Sequence, residues 1–207
     1  MLYFSSVSTS VAAEDTRAPY RLLLMGDSIM AGYGLPAEEA FPHILQKNLQ
    51  QRGWPITIID ASVSGDTSAG GLARLAWVLE EKPDILLLGL GANDGLRGIP
   101  PATSFSNLQQ IIEQTQRRGI KIMLLGMKAP TNMGTEYVNA VTAGFNALAQ
   151  QYQLPFYPFL LEGVALQPLL NQADGIHPNK LGTEKIMEKL VPAIEKFAPA
   201  LHLKKQP

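Results

Sequence analysis

The chain has 207 residues, 46% of them hydrophobic and 17% charged, with a formal net charge of −1 and no cysteine. That length suits one domain with a sizeable core, and near-neutral, interspersed charge excludes a basic nucleic-acid footprint. The missing cysteine excludes disulfides, thiolate metal sites and a cysteine nucleophile, and no apolar run is long enough to form a membrane-spanning helix.

Residues 1–17 lack a basic start, but Val11-Ala12-Ala13 before Glu14 has the small-residue character of a signal-peptidase site. This segment is read as a signal-peptide remnant or a cloning scar, 18–200 as one folded domain and 201–207 as a solvated tail. From residue 20 onward, short apolar runs alternate with stretches of helical spacing. "YRLLLMG" (20–26) predicts a buried strand, 40–53 an amphipathic helix and "PITIIDA" (55–61) a β-branched strand. A helix is expected over 69–82, stopped by Pro83, followed by the continuously apolar strand "DILLLGLG" (84–91). A helix over 104–119, a strand over 120–127, a helix over 136–152 and a short strand over 154–159 follow. The last helix is expected to start at Pro178, a good first-turn residue, and to run to about 197. Strand–helix alternation at this spacing predicts a three-layer α/β/α domain around five parallel strands, with right-handed connections.

In such a sheet ligands sit beyond the carboxyl ends of the strands, so the loops there are where chemistry is expected. They hold Gly26-Asp27-Ser28, Ser62 to Thr67, Gly91-Ala92-Asn93-Asp94-Gly95, and Asp174-Gly175-Ile176-His177-Pro178. Acyl transfer needs a nucleophile, a base that takes its proton, a carboxylate that orients the base, and fixed N–H donors for the oxyanion. Ser28, His177 and Asp174 can fill the first three roles. The backbone N–H groups of Ser28 and Gly65 and the side-chain amide of Asn93 can form the oxyanion hole. Of the three histidines, His43 falls in a helix pattern and His202 in the tail, which leaves His177 beside the rim. Asp27, Asp66 and Asp94 are read as loop-bracing carboxylates. An Asp174–His177 metal pair lacks a third ligand at suitable spacing, so neither metal nor cofactor is expected. The motif is not G-x-S-x-G, and no phosphate-binding glycine loop follows any strand.

The four blocks "GDSIMAGYG", "SVSGDTSAGGLARL", "GANDGLRG" and "DGIHPN" resemble those of the GDSL, or SGNH, hydrolase superfamily over about residues 22–190. "SGDTSAGGLARL" and "NDGLRG" are most similar to its bacterial acyl-CoA thioesterase I / lysophospholipase / arylesterase group. The resemblance implies a flavodoxin-like sheet, a serine esterase acting on small-molecule esters and thioesters, and a periplasmic or secreted setting. Two positions depart from the pattern. Ile29 stands where the superfamily name has Leu, and Ala92 where the subgroup has a second Gly, which would restrict the backbone if that site needed a positive φ.

Two rim segments are candidates for an acyl-chain groove. "MKAPTNMGTE" (127–136) reads as a turn-rich flap in which Met127, Pro130 and Met133 meet substrate. The unusually apolar 158–172 reads either as a short amphipathic helix packed on the core or as a groove wall through Phe159 and Leu160. A carbohydrate O-deacetylase shares these blocks and would favour acetyl groups. A non-catalytic lipid- or glycan-binding module would leave Ser28 unreactive. The pattern is compatible with a monomer.

Overall fold

The computed structural model describes residues 19–205. The expected leader at 1–17 lies outside the described residues. Five parallel strands form one sheet: β1 (Tyr20–Gly26), β2 (Ile56–Asp60), β3 (Ile85–Gly89), β4 (Lys121–Leu125) and β5 (Phe156–Tyr157), in the spatial order β2-β1-β3-β4-β5. The three central strands are buried almost throughout, with Leu22–Met25, Ile85–Leu88 and Met123–Leu125 inaccessible to solvent. Strands covered on both faces need no polar alternation, which is why they read as unbroken apolar runs.

The helices are α1 (Ser28–Ala31), α2 (Phe41–Gln51), α3 (Ser68–Val78), α4 (Ala92–Leu96), α5 (Pro101–Arg117), α6 (Thr135–Gln151) and α7 (Lys180–Phe197). The chain steps from β1 to β2 in one direction and from β2 across to β3 in the other. Right-handed crossovers then put the connecting helices on opposite faces. Accordingly α2 packs on α7, while α3 packs on α5 and α5 on α6. The reversal also opens a crevice between the carboxyl ends of β1 and β3, the place where such sheets bind ligands. There Gly26 and Gly89 are register partners, and a Cβ on either would collide with the Met30 thioether, itself wholly buried. The two glycines thus let α1 seat directly against the sheet.

Several expected boundaries shift for local reasons. The short helices α1 and α4 lie inside segments read as loops, since four or five residues carry no periodicity. The last helix begins at Lys180, not at Pro178, because Asn179 caps it by accepting the Gly182 N–H at 3.0 Å. The 158–172 segment forms turns and one 3₁₀ turn (Pro168–Leu170), not an amphipathic helix. The tail is only partly solvated: Leu201 and Leu203 join the core, and the Lys205 ammonium pairs with Glu195 (3.2 Å) over the Trp54 ring.

Candidate active site

The first block turns directly from β1 into α1. Asp27 caps α1, its Oδ1 accepting the Ile29 N–H at 3.0 Å, and so holds Ser28 at the first helical position above the crevice. Asp27 is only 1% exposed, and its Oδ2 has no hydrogen-bond partner among the described residues. Burial lifts its carboxyl to about 6, against the opposing pulls of the Ile29 N–H and the charge of His177.

Ser28 Oγ lies 2.8 Å from His177 Nε2, and His177 Nδ1 lies 2.7 Å from Asp174 Oδ2. The Asp174 Oδ1 accepts the backbone N–H groups of Ile176 (2.9 Å) and His177 (3.0 Å). This turn of one carboxylate onto its own downstream amides is what spaces the two side chains three residues apart. The His177 N–H, the His177 ring and the Ile176 N–H, in that order, hold the Asp174 carboxyl down at about 2. Asp174 is therefore an anion throughout the neutral range, and its bond to Nδ1 leaves Nε2 free to accept from the serine hydroxyl.

The donors lie opposite. Gly65 has φ +81° and Gly91 φ +118°, values that suit glycine alone. Gly91, and not the following residue, takes the left-handed conformation before the third block, so Ala92 begins α4 without strain. The Asn93 amide donates to the Asp66 carbonyl at 3.0 Å. That bond fixes which end of the amide is NH₂ and leaves its second N–H as a donor. Among the described residues neither Ser28 N–H nor Gly65 N–H is bonded to an acceptor. Arg97 holds the Gly65 carbonyl at 2.8 Å.

The other acids brace these loops, as expected. Asp94, 2% exposed, accepts the Ser68 N–H (2.8 Å) and hydroxyl (2.5 Å), tying the third block to the start of α3. Asp66 pairs with Arg74 at 2.8 Å. No cluster of three or more metal-ligating side chains occurs among the described residues.

A cleft of about 310 Å³ opens at Ser28 and His177, lined also by Gly65 and Asn93 and by the apolar side chains of Tyr33, Leu96 and Ile176. These three are about half exposed, and the Tyr33 ring lies 4.8 Å from the His177 ring. They were not singled out from the sequence, although each stands inside one of the four blocks. Two of the residues expected to wall the cleft are sealed away from it, a correction to that part of the groove reading. Leu160 (0% exposed) and Met127 (4%) are core residues, because their apolar surface is spent on the sheet beneath. Pro130 and Met133 sit against Gly95 and Gly98 at the end of α4, and Phe159 lies under the Lys128 ammonium.

The chain is 40% identical to esterase TesA of Pseudomonas aeruginosa over 195 residues, covering 94% of this chain and 97% of TesA. It is 38% identical to thioesterase 1/protease 1/lysophospholipase L1 of Escherichia coli K12, covering 86% of this chain and 83% of that protein. Its fold matches the crystal structure of the psychrotrophic esterase EstA from Pseudoalteromonas sp., inhibited by monoethylphosphonate. The TM-score is 0.83 at 33% identity, covering 86% of this chain and 98% of EstA. The family model of GDSL-like lipases and acylhydrolases matches residues 24–185, a span that holds all four blocks, and the chain belongs to that family.

Proposed function

We propose that this protein hydrolyses carboxylic esters and thioesters through an acyl-enzyme on Ser28. The observation that carries the reading is the unbroken line from Ser28 Oγ through His177 to Asp174, at 2.8 and 2.7 Å, in the crevice between β1 and β3. His177 takes the serine proton as Oγ attacks the acyl carbonyl, and Asp174 stabilises the imidazolium that results. The oxyanion is received by the N–H groups of Ser28 and Gly65 and by the Asn93 amide. His177 then protonates the leaving alcohol or thiol. A water, deprotonated by the same imidazole, frees the acid and regenerates Ser28. Each residue returns to its starting state, so the cycle needs no cofactor.

The apolar lining by Tyr33, Leu96 and Ile176 supports an acyl substrate, and the relatives named esterase and thioesterase support both leaving groups. A periplasmic or secreted location is supported by the bacterial relatives and by the small residues at 11–13. The test is hydrolysis across p-nitrophenyl ester and acyl-CoA series. Ser28→Ala and His177→Ala should each lower kcat by about 10⁴-fold or more. Near-parental turnover in Ser28→Ala would remove the assignment.

A further inference from the structure

The loop bearing Asp174 and His177 is closed on itself. The Gln172 N–H donates to the His177 carbonyl (2.7 Å), the Gly175 N–H to the Gln172 carbonyl (2.9 Å), and Asn171 bridges Pro178 in antiparallel fashion. Together with the Asp174 carboxylate on the Ile176 and His177 amides, these bonds set the Asp–His couple from within residues 171–178. None of them sets its distance from Ser28.

One uncharged side-chain link to a backbone carbonyl does. The Gln172 side chain leaves its own loop, and Nε2 donates both to the Tyr33 carbonyl (2.7 Å) and to the Pro178 carbonyl (3.0 Å). Tyr33 closes the turn after α1, its own N–H donating to the Ser28 carbonyl at 3.0 Å. A Cβ on Gly34 would collide with Gln172 Oε1, so the bare glycine makes the seat for this amide. Among the described residues, apart from the Ser28–His177 bond itself, the other polar link between these two regions is the Lys180–Glu39 ion pair, whose lysine is exposed. A pair of that kind contributes little.

We propose that Gln172 is a positioning residue: it fastens the Asp174–His177 loop to the carbonyl behind Ser28 and thereby sets the serine–imidazole distance. The inference rests on the reading of Ser28 as nucleophile and His177 as base. It predicts a separation of effects, because the Asp–His bond is made inside one loop and the Ser–His bond spans two.

The test compares the parent with Gln172→Met, which keeps length and bulk but has no donor. Three quantities are measured: phosphonylation rate of Ser28 by a fluorophosphonate, kcat and KM per titratable site with a p-nitrophenyl ester, and the low-field NMR resonance of the His177 Nδ1 proton. Gln172→Met should lose roughly 10- to 100-fold in kcat and in phosphonylation rate, with KM little changed and the low-field proton retained. Gln172→Glu, the same shape with no donor when ionised, should lose at least as much and serves if the methionine variant folds poorly. Rates within about twofold of the parent would overturn the proposal. So would loss of the low-field proton along with the rate, which would make Gln172 a general brace of the loop. A parent enzyme that is not phosphonylated at Ser28 would instead sink the reading of the site itself.

Discussion

Replacing Asp27 by Asn should make the protein more resistant to denaturant near neutrality than near pH 4, relative to the parent. Asp27 is 1% exposed, and its carboxyl is lifted from 3.8 to about 6, first by burial. Below pH 3.8 the group is protonated in both the folded and unfolded chains and contributes no difference. Between 3.8 and about 6 the unfolded chain has released the proton and the folded one has kept it, so stability falls as pH rises. Above about 6 both are ionised and the full cost of a buried carboxylate is present. At 1.36 kcal/mol per pH unit over about 2.2 units, that cost is about 3 kcal/mol. Asparagine keeps the acceptor that caps Ile29 and never ionises, so the variant lacks this pH-dependent loss. Its amide NH₂ takes the place of the unpartnered Oδ2 and costs about 1–3 kcal/mol at every pH. The signature is therefore the slope. Urea unfolding at a series of pH values from about 3 to 8 should give a parent-minus-variant difference that changes by about 3 kcal/mol between the two plateaus and is flat above about pH 7. A difference constant over the whole range would refute the argument.

Asn93→Ala removes a proposed oxyanion donor and should lower kcat about 10²- to 10³-fold with KM little changed, as read by steady-state ester hydrolysis. Gly65→Ala meets no steric obstacle but places a side chain at φ +81°, which should cost about 1–2 kcal/mol in urea unfolding and lower kcat through a displaced N–H. Leu96→Ala should raise KM for longer acyl chains more than for acetyl, by about 0.8 kcal/mol per methylene that loses its contact, measured over a p-nitrophenyl ester ladder. An equal change for acetyl and octanoyl esters would show that Leu96 does not touch the chain.

The strand–helix alternation, the parallel sheet and the four polar blocks were legible in the order of residues, because burial on both faces and Gly-bounded turns write themselves as local pattern. So was the Asp174–His177 couple, which a single turn brings together without help from the rest of the chain. Which apolar residues line the cleft was not legible. Leu160 and Leu96 read alike in sequence, yet one is sealed under the sheet and the other stands half open at the cleft. Core and cleft both select hydrophobic side chains, and only the neighbours supplied by distant segments tell them apart. The same holds for Asp27, whose perturbation comes from burial, and for Gln172, whose amide reaches a carbonyl 139 positions away. The order of residues specified the kinds of groups that line the rim. Their separations came from the assembled fold, because Ser28 and His177 stand 149 positions apart on loops that meet only when the chain is folded.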